Sequence, residues 1–258
     1  MTRIALTASL ALAALLSGCA TLPNGKPTPG DPWERMNRSI WTFDNAVDHA
    51  VLRPVARGYV RYTPGPVRHS ITNFMTNLTY SDTVINDFLQ GKPADGTNDL
   101  TRLVVNTILG VGGLFDPASH MDLDRHSADI GQTLGIWGLG RGPYLVLPLL
   151  GPSDVRDAIG SAGDEYLTPR AYIQDVYARW SLFLVNELDN RANLLDADKQ
   201  IDSSFDSYAF VRDAYLQNRE YKVHGEQASE APETPDQLAP DAGSTAPAAS
   251  PPAASPPH

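Results

Sequence analysis

Apolar residues recur at intervals of three and four along the chain between Asp31 and Gly225, and this pattern restricts the fold more than any other feature. The clearest case is a helix of about 20 residues that begins at Asp31-Pro32-Trp33-Glu34, with Asp31 as N-cap, and ends or kinks at Pro54. Its apolar stripe consists of Met36, Ile40, Phe43, Val47 and Val51. Such spacing predicts amphipathic helices, each with one face that needs apolar surroundings.

Further helices follow from the same periodicity, and Gly91 is predicted to stop one of them. The body shows no convincing alternating strand and no internal repeat, so the predicted fold class is all-α, in a single domain. The predicted segments are Val67–Leu78, Asp82–Gln90, Asp99–Leu109, Ser153–Ile159, Pro169–Leu195 as the longest, and Ser207–Tyr221.

Two apolar, glycine-rich runs interrupt this pattern, namely Gly110–Phe115 and Gly131–Pro152. Pro143, Pro148 and Pro152 exclude a regular helix and a central strand from the second run. We therefore expect irregular or extended backbone there, either buried in the domain or partly facing lipid.

The N-terminus has the organisation of a cleaved signal peptide, with Arg3 followed by the short apolar stretch Ile4–Leu16. Leu16-Ser17-Gly18-Cys19 resembles the bacterial lipobox, and Cys19 is the one cysteine in the chain. The sequence thus predicts removal of residues 1–18 and attachment of a diacylglycerol and an N-acyl chain to Cys19, with no other cofactor. Ala20, in place of the Asp that tends to hold such lipoproteins at the inner membrane, favours the outer membrane.

Composition divides the remaining chain into three parts. Residues 19–30 form a lipidated flexible tether, 31–225 the helical domain, and 226–258 a proline- and alanine-rich acidic tail predicted to be disordered. The formal net charge of −10 makes nucleic acid an unsuitable partner.

No catalytic constellation is apparent, so we assign no catalytic residue and no metal site. His120-Met-Asp122-Leu-Asp124-Arg-His126 has four potential ligands but none of the standard zinc spacings. The glycines of Gly138-Leu-Gly140-Arg-Gly142 are too close for a dinucleotide fingerprint. A Ser-His-Asp site assembled from distant residues stays open.

Many blocks of the body resemble the MlaA (VacJ) family of outer-membrane lipoproteins, and they occur in the family's order. The resemblance covers almost the whole body, whereas the tail is this sequence's own. The blocks are Asp31-Pro-Trp-Glu-Arg-Met-Asn-Arg38, Arg53-Pro-Val-Ala56, Asn73-Phe-Met-Thr-Asn-Leu78, Asn86-Asp-Phe-Leu-Gln-Gly91, Asn106-Thr-Ile-Leu-Gly110 with Gly112-Gly113, Gly131-Gln-Thr-Leu-Gly135, Gly142-Pro-Tyr144, Leu149-Leu-Gly-Pro-Ser153 and Asp206-Ser-Tyr208.

This resemblance implies a ring of helices in the inner leaflet of the outer membrane, facing the periplasm. Phospholipids misplaced in the outer leaflet would pass through its channel to a periplasmic carrier, and the protein would associate with a trimeric porin. Two readings from other classes stay open: a phospholipid-degrading enzyme and a passive structural lipoprotein. We expect the glycine-rich runs to form the lipid path, through Gly110, Gly112, Gly113, Leu114, Phe115, Trp137 and Tyr144, unless they only close turns and fill a core.

Overall fold

The computed structural model describes residues 25–225. Cys19, the predicted signal peptide and the predicted tail lie outside the described residues. The described part is predominantly helical and forms one domain, which confirms the predicted fold class. Among these residues, no helix combines the length and apolar character needed to cross a membrane.

The N-terminal helical rod is continuous but changes its hydrogen bonding before Pro54. Helix α1 (Glu34–Val47) passes through a π-helical segment, Asp48–Leu52, into α2 (Arg53–Tyr62). Proline has no N–H and its ring crowds the carbonyl four residues earlier, so a π-helical turn accommodates it. The predicted interruption therefore takes the form of a π segment. The predicted Asp31 cap is wrong, because the N-cap is Trp33 and the Asp31 carboxylate is buried in contacts described below.

Helix α3 (Gly65–Leu89) is followed by α4 (Pro93–Ile108). The prediction of two helices meeting near Asp82 is wrong, because no glycine or proline lies between Val67 and Leu89 to break the helix. The Asp82 carboxylate accepts a hydrogen bond from Asn86 one turn later, at 2.6 Å, instead of capping a new helix. Gly91 has a φ of +75° just beyond α3, which confirms it as the stop.

The second glycine-rich run contains a helix and a hairpin, which the sequence did not predict. Gly131 starts no irregular segment but belongs to helix α5 (Ile130–Ile136), which Asp129 caps. Further on, β1 (Tyr144–Leu147) and β2 (Gly151–Asp154) form an antiparallel hairpin, in which Tyr144 pairs with Asp154. Residues 144–147 and 151–154 are therefore extended, as one part of the expectation had it, and both strands of a two-stranded sheet are edges, where proline is tolerated.

Four helices complete the described chain: α6 (Val155–Leu167), α7 (Val176–Asn193), α8 (Asp198–Ser203) and α9 (Ser207–His224). Helix α9 begins where the sequence predicted. Helix α6 is capped by Asp154, not by Ser153, and is longer than predicted. The segment predicted as the longest helix, Pro169–Leu195, is divided into a 3₁₀ turn and α7, which Asp175 caps. The longest helix is therefore α3. Helix α8 was not predicted.

Contacts between neighbouring elements close into a circuit. Helix α2 packs on α7, α7 on α3, α3 on α6, α6 on α5, and α5 on α9. Helix α9 contacts β2, and β1 returns to α1, which continues through the π segment into α2. This closed order of contacts agrees with the predicted ring. Helix α4 packs along α3.

The polarity of the domain is inverted relative to a water-soluble protein. Its one core cluster of buried apolar residues contains Ile40, Tyr144, Val146 and Tyr208. Fully buried charged and polar residues are abundant, and large apolar side chains are exposed on nearly every element. The exposed set includes Phe43, Val55, Phe88, Ile108, Phe115, Trp137, Leu150, Ile159, Trp180, Leu184 and Phe205. Exposed apolar surface of this extent is typical of a face that contacts a membrane, a ligand or another protein.

Buried charges hold the ring together. Asp31 accepts hydrogen bonds from Asn37 at 2.8 Å and from Tyr208, which joins the N-terminal segment to α9. Arg191 of α7 binds Asp48 of the π segment at 2.6 Å and Asp198 at 2.8 Å. An unpaired charge in a weakly hydrated interior has a high cost in free energy. Paired charges there therefore keep their partners in a fixed geometry.

Candidate functional site

A polar cavity of about 270 Å³ lies between α3, α7 and the loop at residues 125–127. Helix α3 supplies one wall and the amides of α7 supply the other. The lining residues are Thr76, Thr79, Tyr80, Asp82, Thr83, Arg125, His126, Ser127, Asn186 and Asn190. Apart from the ring of Tyr80, the lining side chains are polar or charged, whereas large apolar side chains are exposed on the exterior of the domain.

The α3 wall is a stripe of polar residues at helical spacing. Asn73, Thr76, Asn77, Tyr80 and Thr83 follow one another at intervals of one and three, which places them on one face of the helix. The helix at this segment was predicted from its apolar stripe, and the polar stripe was not predicted. A polar stripe of this kind is also typical of a solvated helix face, so the sequence alone does not identify the cavity.

A second, smaller cavity adjoins the first on the α4 side and shares Thr76, Tyr80 and Arg125 with it. Arg102 of α4 closes its far side by binding both carboxylate oxygens of Asp116, at 3.0 and 3.1 Å. The Asp116 carboxylate also accepts from Asn106 and Ser119, and these contacts lower its pKa against the opposing effect of burial. In this wall the Asp116 carboxylate is held by Arg102, Asn106 and Ser119 together.

Arg125 differs from the arginines around it. Within residues 25–225 its guanidinium forms no ion pair, and it donates to Thr76 Oγ1 at 3.3 Å. The buried carboxylate of Asp99 is occupied by Tyr80 Oη at 2.9 Å and by His126 Nδ1 at 3.1 Å. Arg125 therefore presents a positive charge to both cavities with no carboxylate partner among residues 25–225.

A carboxyl pair lies beside the larger cavity. Burial, followed by the nearby Asp164 carboxylate, raises the pKa of Asp82 to about 8. Asp164 accepts a hydrogen bond from the backbone N–H of Ile130 at 2.8 Å, and burial also raises its pKa. At neutral pH the pair shares a proton. The cavity wall consequently has less negative charge than its composition suggests.

The first predicted path segment lies next to these cavities. Gly110, Gly112 and Gly113 close a turn after α4, in which the Gly113 N–H donates to Asn106 O at 2.9 Å. The backbone of Gly113 rests on Asn77, a lining residue of the smaller cavity. Leu114 and Phe115 are exposed on the outside of the turn together with Ile108. The segment thus joins an apolar exterior to a polar cavity wall.

The other two predicted path residues lie elsewhere. Trp137 is exposed beyond α5, and its indole N–H donates to Leu89 O at 3.1 Å, at the C-terminal end of α3. Tyr144 is 1 % exposed and packs in the core cluster, with its ring 6.1 Å from that of Tyr208. The structure therefore brings five of the seven residues together and assigns Tyr144 to the core.

The segment from His120 to His126 does not bring its potential ligands together. In the part of the chain that the structure describes, no group of three or more His, Cys, Asp or Glu side chains is placed to hold a metal ion. Asp124 contributes only its backbone carbonyl, to Asn98, and His126 turns toward Asp99.

Comparison with known proteins gives a consistent result. The family model described as MlaA lipoprotein matches residues 29–222. The Intermembrane phospholipid transport system lipoprotein MlaA of Escherichia coli K12 is 36% identical over 217 residues, covering 82% of this chain and 85% of that protein. The protein of the same name from Haemophilus influenzae is 32% identical over 247 residues, covering 92% of this chain and 97% of its own.

A solved structure from work on the structural basis for maintenance of bacterial outer membrane lipid asymmetry has the same fold. It superimposes with a TM-score of 0.69 at 36% sequence identity, and the match covers 75% of this chain and 98% of that one. The family model and the relatives extend over the domain described above. This chain belongs to the MlaA lipoprotein family.

Proposed function

We propose that this protein removes phospholipids misplaced in the outer leaflet of the outer membrane and passes them to a periplasmic carrier, thereby maintaining lipid asymmetry. The relatives from Escherichia coli and Haemophilus influenzae are named for intermembrane phospholipid transport, and the solved relative for lipid asymmetry. The role proposed is that of a conduit, not of an enzyme.

The inverted polarity of the domain is the observation that carries this proposal. A polar cavity opens on a domain whose exterior exposes Phe115, Trp137 and Trp180, among many others. A phospholipid has the same two requirements, since its headgroup needs polar contacts and its acyl chains need apolar ones. The arrangement suits a headgroup that moves through the protein while the acyl chains follow along apolar surface.

The glycine turn supplies the junction between these two environments. Ile108 and Phe115 are 70% and 58% exposed, and Asn77 behind them belongs to the polar wall. A lipid that enters at this turn keeps its acyl chains against the apolar side chains while its headgroup reaches α3. No bond is broken in this process, so it requires no nucleophile and no metal.

The proposed location in the membrane is based on the predicted anchor at Cys19. Acyl chains on Cys19 would hold the domain at the inner leaflet of the outer membrane, facing the periplasm, and the exposed apolar residues would enter that leaflet. A trimeric porin would hold the protein at this depth, and a soluble periplasmic carrier would accept the lipid. These placements rest on the family resemblance and on the apolar exterior.

Mass spectrometry of the lipids that co-purify with the detergent-extracted, full-length protein tests the proposal. We expect intact, two-chain phospholipid in stoichiometric amounts, and no release of fatty acid when the protein is mixed with phospholipid vesicles. Accumulation of lysophospholipid and free fatty acid would identify an enzyme instead. Absence of bound lipid would identify a passive structural lipoprotein.

A further inference from the structure

We infer that the guanidinium of Arg125 binds the phosphate of the lipid headgroup, and that Arg125 thereby restricts the cargo to lipids that contain a phosphodiester. This inference rests on the proposed function and names the substrate class of the same cavity. The lining residues Thr76 and Tyr80 are common to both cavities, as is Arg125, so the three mark the position at which the cavities meet.

The charge balance of the site points to an exogenous anion. Arg125 forms no ion pair among residues 25–225, although the chain has a formal net charge of −10. Two of the carboxylates around the cavities are bound to other groups: Asp116 binds Arg102, and Asp99 binds Tyr80 and His126. A guanidinium without a carboxylate partner in a polar cavity is matched by a phosphate, whose oxygens it can bind in bidentate geometry.

The rest of the lining fits a phosphodiester better than a cation. Carboxamides and hydroxyls surround Arg125, with Asn73 and Asn77 on one side and Asn186 and Asn190 on the other. These groups are neutral hydrogen-bond donors of the kind that bind phosphate oxygens. Asp82 is the carboxyl group that could oppose an anion in the larger cavity, and at neutral pH it shares a proton with Asp164.

The predicted selectivity depends on whether the lipid has a phosphate group, not on what is attached to that group. Phosphatidylethanolamine and phosphatidylglycerol differ beyond the phosphodiester, which both share, so one guanidinium can accept either headgroup. Diacylglycerol has the same acyl chains without the phosphate and offers Arg125 no anion. The structure therefore predicts preference for phospholipids over diacylglycerol, and this preference should depend on Arg125.

The test compares four full-length proteins purified in nonionic detergent: the wild type, Arg125→Gln, Arg125→Lys and the control Arg179→Gln. Arg179 is an exposed arginine of α7 that does not line either cavity, so its substitution makes the same change in charge. Each protein is incubated in mixed micelles with equal amounts of dioleoylphosphatidylethanolamine, dioleoylphosphatidylglycerol and dioleoylglycerol. Retained lipid is then counted by mass spectrometry.

We expect the wild type and Arg179→Gln to retain both phospholipids in preference to dioleoylglycerol. Arg125→Gln should retain about tenfold less phospholipid, as for the loss of one charge-assisted pair, with dioleoylglycerol unchanged. Arg125→Lys should fall between them, because an ammonium keeps the charge and loses the bidentate geometry. Arg125 is exposed, so we expect unchanged thermal unfolding midpoints for its variants.

Three results would overturn the inference, and they are distinguishable. Wild-type retention of phospholipid by Arg125→Gln would refute the phosphate site and leave the proposed function standing. Absence of phospholipid on the wild type would refute the proposed function and the site together. Binding of inorganic phosphate to the delipidated wild type as tightly as phospholipid would identify a site for free phosphate, not for a lipid headgroup.

Discussion

At the scale of single residues, Gly112 and Gly113 show how the same residue type serves different purposes. Both have positive φ, of +70° and +89°. A Cβ on Gly112 would meet open space, whereas a Cβ on Gly113 would collide with the side chain of Asn77. Gly113 is therefore required for close packing of the turn on the cavity wall, and Gly112 only for its backbone conformation.

This difference predicts the result of two alanine substitutions. Gly112→Ala should cost about 1 kcal/mol of unfolding free energy through φ strain alone. Gly113→Ala should cost about 1–3 kcal/mol more, because Asn77 must shift out of contact with Thr107. Unfolding of the detergent-purified variants by denaturant measures both values. Equal losses of stability would show that the Asn77 contact is not tight.

Asp82 gives the molecule a dependence on pH. Its pKa is raised from 3.8 to about 8, so between these values the folded protein keeps a proton that the unfolded chain has released. The free energy of unfolding should therefore fall as the pH rises from about 4 to 8, and Asp87, with a pKa of about 7, contributes in the same direction.

Replacing Asp82 by Asn should weaken this dependence, since an amide can donate to Asp164 at every pH. We expect the thermal unfolding midpoint of Asp82→Asn to exceed that of the wild type at pH 8 and to approach it at pH 5. Asp124→Asn serves as control, because Asp124 contacts Asn98 through its backbone only. A wild-type slope between pH 5 and 8 that persists in Asp82→Asn would contradict the assignment.

At the scale of elements, Asn37 joins α1 to the hairpin in place of a third strand. Its Nδ2 donates to Tyr144 O at 3.0 Å, and its Oδ1 accepts from Val146 N at 3.0 Å. The side-chain amide thus pairs with the free edge of β1 as a neighbouring strand would. Asn37 is fully buried, and it also binds Asp31.

Asn37→Ala should lower the free energy of unfolding by about 3 kcal/mol, because it leaves a buried N–H, a carbonyl and a carboxylate oxygen without this partner. Asn45→Ala, on the same helix, is the matched control and should change it by less than about 0.5 kcal/mol. Chemical denaturation of both variants in detergent is the measurement. A loss in Asn37→Ala no larger than that of the control would show that the hairpin does not depend on α1.

The elements also show which features a sequence pattern can predict. Helix α9 was predicted from Ser207 because its apolar spacing and Asp206-Ser207 start are local signals. The hairpin was not predicted as regular structure because prolines argue against a central strand. Each strand of a two-stranded hairpin is an edge strand, and an edge strand tolerates proline. Tyr144 was assigned to the lipid path because an apolar run looks alike whether it enters a core or faces lipid. Only the packing of Tyr208 against it decides between the two.

The candidate site was harder to predict than the fold for a physical reason. The glycine-rich apolar runs were predicted to form the lipid path, and of the predicted residues Gly113 is the one that packs against a lining residue, Asn77. Arg125, however, is significant only because Asp99 and Asp116 are occupied by other partners. Whether a charge is paired depends on contacts between α3, α4 and the loop, and sequence spacing does not report these.

At the scale of the whole molecule, the anchor and the apolar exterior should act together. Cys19→Ser leaves no other cysteine for a thioether, so the variant should take up no label when cells are grown with a fatty-acid analogue. We expect it to reach the outer membrane poorly, although its helical domain is unchanged. Label that persists on Cys19→Ser would contradict lipidation at this residue, with the wild-type protein as the positive control.

The central claim is that this protein lowers the amount of phospholipid in the outer leaflet of the outer membrane. Quantifying phospholipid accessible to a membrane-impermeant headgroup reagent tests it most directly, in cells without the gene and in cells complemented with wild type or Arg125→Gln. We predict accumulation in the outer leaflet without the gene, reversal by the wild type and weak reversal by Arg125→Gln at equal protein levels. An outer leaflet unchanged by loss of the gene would contradict the account.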